Sequence, residues 1–493
     1  MMWIDDMHDF GANDRYWQLI ALYRQIKCHL LKSRAVDPLL PLQDVRLLDD
    51  GETWESTGSD PQFSIVGPWP TGWTSITAEI ETAAVENGCL RLYVDRGGGY
   101  SEEESYALGA VNEELVSYVP LGPEVIRLRL DPFAAKGEFR IKKLLFRRES
   151  IKNRIRRAAL TRAITFRTKR LIVFLTPGYD GRSGGVLSIN ALYRASVGLR
   201  RLHRARVALC IVPGDPPLPK YTWFANRNYL LDLASVLKGC KRLDYLLLHI
   251  PEYQVNPVLA WLATASSLLQ NVREVQLNVM LQNIDQIEGQ NISGLMHFGR
   301  VTCTTAHEAY TNSATREALG VSLHRLSVCI GPECYSLSGY QEKRPLLIVS
   351  HDEHPLKEQV LRRIAQVLPE LTIQVVKNLS YEDYKKLIRR AKWSLTFGEG
   401  LDGYFAETVW CGGVSFAVFN DRFFTPAFAK LETVYPSWEV LMDRMATDLR
   451  RLDEPVAYNR CWQQAYDLLN DLYSTDRFRE NLRMFYRAEY TFP

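Results

Sequence analysis

The pattern of apolar and polar positions changes character along the chain, and its C-terminal two-thirds is the easier part to interpret. From residue 168 onward, continuous apolar runs alternate with segments of helical spacing. Such runs are typical of strands buried on both faces of a parallel sheet, with helices as right-handed crossovers. A polar break at Tyr340–Arg344 (YQEKR) interrupts the alternation before it restarts. We therefore predict an α/β fold with two Rossmann-like domains, 168–340 and 341–455, that face each other across a cleft, followed by helices over 456–493.

The N-terminal third has a different texture. Over 50–147, short alternating runs such as CLRLYVDR and VIRLRLDP are separated by Gly, Pro, Asp and Asn, a pattern typical of an antiparallel sandwich. Before it, 1–49 is predicted to be a helical segment, in which Asn13 and Asp14 can cap a helix that runs to about Ser33. Three tryptophans of this region are candidates either for stacking on sugar rings or for ordinary burial in the sandwich: Trp54, Trp69 and Trp73.

A strongly basic connector joins the two parts. Between Lys142 and Arg170 the chain carries many lysines and arginines against the single acidic residue Glu149. We predict a linker helix over 148–167 and leave two interpretations open. The basic segment 142–170 either lies on an anionic membrane surface or is solvated and paired with acidic neighbours.

Composition narrows the function classes. The net charge of the 493-residue chain is only +3, which gives no reason to expect nucleic acid as a partner. Nine cysteines are scattered without a CxxC motif or zinc spacing, which favours reduced thiols and no bound metal. The acidic N-terminus MMWIDDMHDF lacks the apolar core of a signal peptide, and no apolar run has a membrane-spanning length. We expect a cytoplasmic protein that would meet a membrane-bound substrate at the inner face of the membrane.

Two glycine-rich turns lie where strands give way to helices, the edge at which such sheets bind ligands. The first, TPGYDGRSGGVLSIN, holds Gly184 and Gly185 but not the GxGxxG spacing of dinucleotide sites. The second, FGEGLDGYFAETVWCGG, places Glu399 before a helix and Glu407 about one turn inside it. Without an Asn or Ser cap, the first amides of this helix are predicted to be free to bind a diphosphate. An alternative is that the acidic side chains only complement the helix dipole.

These residues resemble a known family. Residues 168–493 resemble the GT-B glycosyltransferases, in particular the retaining group four family, whose Glu-x7-Glu signature is matched by Glu399-GLDGYFA-Glu407. The family's helix before the motif strand is matched by LSYEDYKKLIRRAKWSL, and its C-terminal helix that crosses back to the first domain is matched by 474–493. The resemblance implies that Glu399 contacts the donor sugar and Glu407 the ribose.

The resemblance also implies a chemistry and a set of donor contacts. It implies transfer of a sugar from a nucleoside-diphosphate donor with retention, no cofactor and no metal, with a front-face route in which the leaving phosphate helps to deprotonate the acceptor. The expected donor-binding residues are Glu407, Lys357, Gly400, Leu401, Asp402, Gly403, Tyr404, Phe405, Gly184 and Gly185.

Two departures from the family pattern shape the remaining candidates. For the diphosphate the family offers an arginine and a lysine, whereas SHDEHPLKEQ keeps Lys357 and has Asp352 in place of the arginine. For the reacting sugar the family often offers a histidine after a middle strand. Here that strand ends in Asn283, and we take His249 as the catalytic candidate and Glu252 and Asn283 as acceptor-side candidates.

The N-terminal module is similar to modules attached to bacterial polysaccharide glycosyltransferases, including rhamnosyltransferases. This implies an acceptor that is lipid-linked or an oligosaccharide, in a growing cell-surface glycan such as O-antigen, capsule or S-layer glycan. A non-catalytic glycan-binding or scaffold protein, and a doubly wound enzyme of another class such as an epimerase, are the alternatives.

Overall fold

The computed structural model describes residues 34–35, 39–65, 69–84, 89–102, 104–110, 115–178, 183–215, 218–221, 228–376, 379 and 381–493. The helix predicted up to Ser33 lies outside these residues. The chain divides into two compact units, one formed by residues within 1–84 and 90–148 and the other by residues within 85–89 and 149–493.

The first unit is built from two antiparallel sheets. Their orders are β3-β4-β11-β6-β9, with β1 paired to β11, and β2-β5-β10-β7-β8. Phe63 of β5 and Phe139 of β11 meet edge-on at 6.0 Å, so the two sheets share a core. The strands are β1 (Arg34–Ala35), β2 (Leu39–Gln43), β3 (Val45–Leu47), β4 (Thr53–Ser56), β5 (Gln62–Ile65), β6 (Gly72–Thr82), β7 (Cys89–Asp95), β8 (Ser105–Ala110), β9 (Leu115–Leu121), β10 (Arg127–Asp131) and β11 (Gly137–Arg148).

This unit confirms the sandwich-like extension and corrects the segment before it. Strands β1 to β3 fall within 34–47, so the predicted helical segment does not extend to residue 49. Trp54 packs edge-on against Phe63 at a centroid distance of 4.8 Å, the ordinary environment of a sandwich aromatic.

The basic connector consists of two different elements. Lys142 and the basic residues up to Arg148 belong to β11, and Lys142 pairs with Glu81 at 3.2 Å. Helix α1 begins after this strand, at Ile151, and ends at Thr165, with Ser150 as its N-cap.

The second unit begins with a seven-stranded parallel sheet of order β14-β13-β12-β15-β16-β17-β18. Its strands are β12 (Arg170–Thr176), β13 (Arg206–Ile211), β14 (Leu231–Asp232), β15 (Tyr245–Pro251), β16 (Val275–Leu281), β17 (Arg300–Thr305) and β18 (Ser322–Arg325). The helices associated with this sheet are α1 (Ile151–Thr165), α2 (Gly184–Gly198), α3 (Arg200–His203), α4 (Leu233–Gly239), α5 (Val255–Thr264), α6 (Ile292–Leu295) and α7 (Ser313–Leu319). We call this the acceptor-side domain and the next one the donor-side domain, after the roles predicted for them from the sequence.

A second parallel sheet of order β20-β19-β21-β22-β23 forms the donor-side domain. Its strands are β19 (Arg344–Val349), β20 (Thr372–Val375), β21 (Ala391–Leu395), β22 (Val414–Val418) and β23 (Val434–Tyr435). The remaining helices are α8 (Lys357–Val367), α9 (Tyr381–Arg390), α10 (Gly403–Trp410), α11 (Trp438–Leu452), α12 (Pro455–Leu472) and α13 (Thr475–Tyr486).

The end of the chain returns to the acceptor-side domain. The backbone of Phe492 pairs with that of Leu323 beside β18, and the Tyr486 hydroxyl donates to Ser196 Oγ at 2.6 Å. One apolar core runs from the acceptor-side strands to Phe405 and Phe424 of the donor-side domain. The predicted α/β architecture, with two parallel-sheet domains and an antiparallel N-terminal extension, is confirmed. Among the described residues, no helix combines the length and hydropathy that a membrane span requires.

Candidate functional site

Three strand ends bring predicted site residues together at the boundary of the two Rossmann-like domains. Glu252 follows β15, Asn283 follows β16 and Glu399 follows β21. The backbone N–H of Asn283 donates to Glu252 Oε1 at 3.0 Å, and its side-chain Nδ2 donates to Glu399 Oε1 at 2.8 Å. Glu399 therefore makes a direct contact with the acceptor-side domain through Asn283.

The carboxyl of Glu399 lies in an acidic environment. Its pKa is raised to about 7, first by burial and then by the nearby carboxylates of Asp402 and Asp352, while the hydrogen bond from Asn283 opposes the rise. A carboxyl of this kind changes its charge near neutral pH, a property common among functional residues.

Glu252 is more deeply buried than Glu399. Only 1% of its surface is exposed, and its Oε2 has no hydrogen-bond partner among the described residues. Burial raises its pKa to about 7, whereas the hydrogen bond from the Asn283 amide opposes the rise. A half-satisfied buried carboxyl is costly, which sets this residue apart from an ordinary core position.

Glu407 lies inside α10 with 6% of its surface exposed. Burial raises its pKa to about 8, against hydrogen bonds with the hydroxyls of Tyr335 and Tyr384 that lower it. Its Oε2 has no partner within the part of the chain that the structure describes. The residue thus offers a carboxyl oxygen that could still accept a hydrogen bond.

The start of α10 differs from the prediction. Asp402 is the N-cap, and its Oδ1 accepts a hydrogen bond from the backbone N–H of Phe405 at 3.0 Å. Its other oxygen accepts from the hydroxyl of Thr396, and burial raises its pKa to about 6. The prediction of an uncapped helix with free amides was wrong, because Asp402 performs the capping role that we had looked for only in Asn or Ser.

The predicted donor residues around this helix start have mixed environments. Leu401 and Phe405 are buried in the core, and Gly400 adopts φ +90 where a Cβ would lie 2.6 Å from the Phe424 ring. Gly403 lies over Glu407, since a Cβ there would be 3.4 Å from Oε1. Tyr404 directs its hydroxyl to His351 Nδ1 at 3.0 Å. The core positions of Leu401 and Phe405 exclude their side chains, in this conformation, from contact with a ligand.

The helix start on the acceptor side has the property expected of α10. Among the described residues, Ser183, the N-cap of α2, makes no side-chain capping bond. A Cβ on the adjacent Gly184 would meet no described atom within 4 Å, whereas a Cβ on Gly185 would lie 2.5 Å from Gln282 Oε1. Gln282 Nε2 also donates to the Gly185 carbonyl at 3.2 Å, which places the glycine turn beside Asn283.

Lys357 does not reach outward as a phosphate-binding residue would. It is buried, and its Nζ donates to the carbonyl oxygens of Ser350 and Asp352, both at 2.9 Å. The ammonium group therefore holds the β19–α8 loop together, and the structure contradicts its assignment as the free cation of a diphosphate site.

His249 is also displaced from the role predicted for it. Its ring is fully buried, stacked on Phe174 at 4.2 Å and tilted against Phe485 at 5.5 Å. Asn278 Nδ2 lies 3.0 Å from its Nδ1, and burial lowers its pKa to about 3. A neutral ring between two aromatic side chains fits a packing role and not contact with a substrate.

Several residues of the site were not predicted. Tyr335 and Tyr384 contribute hydroxyls around Glu407, and Asp285 pairs with Arg422 at 2.6 Å between the two domains. Tyr384, the second tyrosine of LSYEDYKK, could have been found from the sequence, because its helical spacing directs it towards the motif helix. The contact of Asp285 with Arg422 had none, since it joins distant loops. No cluster of three or more His, Cys, Asp or Glu residues suited to a metal ion occurs among the described residues.

No protein-family model and no curated protein sequence matches this chain. Solved structures do show a distant likeness. HepE of Anabaena, in complex with UDP and glucose, has a TM-score of 0.45 at 11% identity over 65% of this chain and 100% of its own. Sucrose-phosphate synthase of Thermosynechococcus elongatus has a TM-score of 0.42 at 10% identity, over 65% of this chain and 99% of its own. An α,α-trehalose-phosphate synthase (UDP-forming) of Burkholderia vietnamiensis has a TM-score of 0.40 at 9% identity, over 65% of this chain and 97% of its own. Likenesses this weak say nothing about activity.

Proposed function

We propose that this protein is a retaining glycosyltransferase that takes its sugar from a nucleoside-diphosphate donor. The observation that carries the proposal is the pair of glutamates around the start of α10, with Glu399 before the turn and Glu407 inside the helix. Glu399 faces the acceptor-side residue Asn283 at 2.8 Å, while Glu407 keeps a buried Oε2 without a partner among the described residues. A buried carboxyl oxygen of this kind suits a hydroxyl-bearing ligand that arrives from outside the protein.

In this proposal Glu407 accepts hydrogen bonds from the ribose and Glu399 contacts the donor sugar. The leaving diphosphate lies towards the start of α2, whose first turn has no side-chain cap among the described residues and exposes Gly184. The positive end of a helix dipole stabilises negative charge there without a metal ion. Retention would follow the front-face route, in which the departing phosphate receives the acceptor proton.

The acceptor in this proposal is a growing bacterial cell-surface glycan that is lipid-linked or an oligosaccharide. Helix α1 supports work next to a membrane, because it exposes Ile151 (52%), Ile155 (42%) and, just after its end, Phe166 (60%). Arg154 and Arg162 are exposed on the same helix. Apolar side chains among basic ones suit an anionic lipid surface.

Vesicle flotation tests the membrane contact. The wild type should float with vesicles that contain anionic lipid and should not float with neutral ones. The double variant Ile151→Asp, Ile155→Asp should stay at the bottom of the gradient. Equal behaviour of both proteins on both vesicles would refute the contact.

The donor is best identified by a thermal-shift panel of UDP, GDP, dTDP, CDP and NAD. We expect one nucleoside diphosphate to raise the melting temperature, because a ligand bound only to the native state at a hundredfold excess over Kd adds about 2.7 kcal/mol. Glu407→Gln should lose the shift. Glu439→Gln, which changes an exposed glutamate in the first turn of α11, is the matched control and should keep it.

The same panel decides the class of the protein. A shift with NAD alone would overturn the proposal in favour of a dehydrogenase. If a nucleotide-sugar is turned over, NMR of the product reports its anomeric configuration, and an inverted product would refute retention.

One alternative has a specific observation in its favour. Lys357 is engaged with loop carbonyls and the Asp402 carboxylate occupies the start of α10, so the donor-side domain lacks the expected cation at its predicted position. This favours a non-catalytic glycan-binding or scaffold protein on the same fold. Glycan binding without turnover of any nucleotide-sugar would support this second function.

A further inference from the structure

The segment that follows β16 is held from several sides by the acceptor-side domain. The Tyr310 hydroxyl donates to the carbonyl oxygens of Leu281 and Gln282, at 3.0 and 2.9 Å. The Gln282 side chain binds the Gly185 carbonyl, and Glu252 accepts from the Asn283 backbone. Residues 281–283 are therefore fixed before they reach the donor-side domain.

The carboxamide of Asn283 uses both of its ends. Oδ1 accepts a hydrogen bond from the Asp285 backbone at 2.9 Å and so caps the 3-10 turn Ile284–Ile287. Nδ2 donates to Glu399 Oε1 at 2.8 Å. A cap needs only the oxygen, which Asp or Ser would provide equally well. The Nδ2 contact is thus the one that requires asparagine.

The carboxyl of Glu252 also contacts Asn283 and is itself only partly hydrogen-bonded. Its one engaged oxygen accepts the Asn283 amide, while the other is buried with no partner along the described chain. An apolar residue at this position would avoid the cost of a half-satisfied carboxyl. Rules of local stability tend to be broken at functional positions. The hydrogen bond from the Asn283 backbone is a contact that this buried carboxyl makes despite that cost.

We propose that Asn283 is a positioning residue for Glu399, which it holds across the domain boundary through Nδ2, and that Glu252 fixes the Asn283 backbone for this task. The inference deepens the proposed function and rests on it in one respect, the role of Glu399 towards the donor sugar. The contact itself is a property of the protein without substrate, and it can be measured separately.

The charge of Glu399 provides that measurement. The groups that face it are the carboxyls of Asp402, Asp352 and Asp285, with Tyr310 and Tyr473 farther away and Arg422 paired to Asp285. The Asn283 hydrogen bond is the contact that lowers the pKa of Glu399 against these carboxylates. Removal of Nδ2 must therefore raise that pKa further.

The first experiment records the melting temperature against pH for the wild type and for Asn283→Ser, each with and without Glu399→Gln. A carboxyl whose pKa is higher in the folded than in the unfolded protein binds its proton more tightly in the native state. Its ionisation therefore lowers the stability of the protein as pH rises from the unfolded to the folded pKa, a range that we call the titration window. The contribution of Glu399 to stability is the difference in melting temperature between each protein and the same protein carrying Glu399→Gln. In the wild type, the upper end of its titration window should lie near pH 7. In Asn283→Ser we expect that end to move upward by about half a pH unit or more.

Two further variants keep the test decisive. Asn283→Asp retains the cap and places a second carboxyl against Glu399, so it should shift the window more than Asn283→Ser. Asn312→Ser is the matched control, since Asn312 caps α7 through Oδ1 and donates its Nδ2 to a backbone carbonyl at 3.1 Å. That control should leave the window in place. An unmoved window in both Asn283 variants would overturn the inference and reduce Asn283 to a helix cap.

Kinetics with the donor identified above provide the second readout. Asn283→Ser should lower kcat at least tenfold with little change in donor KM, and the acidic limb of its pH profile should move upward in parallel with the stability window. If the enzyme turns over the donor but the titration window of Glu399 does not move in the Asn283 variants, only the positioning role of Asn283 is overturned. A moved window without turnover of any donor would overturn the proposed function and leave the Asn283 contact established.

Discussion

The starts of helices α2 and α10 look alike in sequence and differ in structure. Both follow a parallel strand and a glycine-rich turn. At α2, Ser183 makes no side-chain cap and Gly184 borders open space. At α10, Asp402 caps the Phe405 amide and Gly400 packs against Phe424. Glycine content alone therefore does not identify an anion site, because Gly184 leaves the start of α2 accessible whereas Gly185 and Gly400 allow close packing.

The difference extends to charge. A carboxylate at a helix start compensates the positive end of the dipole, and Asp402 does this at α10, where the buried carboxyl of Glu407 follows. The buried polar residue of α2 is the neutral Asn190, whose Nδ2 donates to Val186 O at 2.9 Å. Under the proposed function, a diphosphate therefore fits the start of α2 better, since no described residue there places a carboxylate at the helix start, and hydroxyl groups fit α10 better.

The largest test of this comparison exchanges one glycine in each turn for alanine. Gly400→Ala should destabilise the protein by about 3 kcal/mol, because alanine is strained at φ +90 and its Cβ would lie 2.6 Å from the Phe424 ring. Gly184→Ala meets no atom within 4 Å and should be neutral or stabilise by about 0.5 kcal/mol. Urea unfolding measures both.

Nucleotide binding then separates access from packing. Gly184→Ala should weaken the thermal shift from the nucleoside diphosphate despite its unchanged stability, since it adds a methyl group where the phosphates approach. A fully retained shift would show that the start of α2 is not the phosphate site.

The next prediction concerns Glu407→Gln, which should raise the stability of the protein but weaken nucleotide binding. The folded pKa of Glu407 is about 8, above its ordinary value of 4.5, so ionisation costs stability as pH rises across this range. The stability of Glu407→Gln relative to the wild type should therefore increase between pH 5 and pH 9, by on the order of 2 kcal/mol. Melting curves over that range check the gain. A constant difference at every pH would mean that Glu407 is ionised at no special cost.

A smaller effect distinguishes the two caps. Asp402→Ala removes a capping bond at α10 and should destabilise by about 1 kcal/mol at about pH 3.8 or below, where the cost of ionising the buried carboxyl is small because Asp402 is largely protonated in the native state and close to it in the unfolded chain. Ser183→Ala removes a side chain without a capping bond and should change stability by less than about 0.5 kcal/mol. Equal losses in the two variants would show that Ser183 caps α2 in solution.

The fold was predictable because its signals are local. The continuous apolar runs became β12, β15, β19 and β21, and the alternating runs became antiparallel strands, as their periods require. Capping was predictable in principle, since Asp is a common N-cap, but Asp402 was interpreted as a ligand residue and its cap was missed.

Side-chain environments were less accessible from sequence. His249 lies in a strand whose neighbours are all buried, and its burial depends on Phe485 from the distant C-terminal helix. Lys357 begins an amphipathic helix, but whether its ammonium reaches outward or folds back on the loop depends on loop geometry. The contact of Asn283 with Glu399 joins residues 116 apart, and no local pattern encodes such a pairing.

The smallest expected effect concerns the ion pair that joins the two domains beside these helix starts. Asp285 and Arg422 lie 2.6 Å apart but are about half exposed, so their pairing should stabilise the native state by only about 0.5 kcal/mol. A double-mutant cycle of Asp285→Asn and Arg422→Gln, followed by urea unfolding, isolates this energy. It should shrink as salt is raised from 0.05 to 0.5 M, because exposed pairs are screened. The charge-swapped variant Asp285→Arg, Arg422→Asp should recover the pairing energy between positions 285 and 422. It should not restore the charge environment of Glu399, because an arginine close to Asn283 would lower the pKa of Glu399. A coupling near zero at low salt would mean that this ion pair does not help to hold the two domains together.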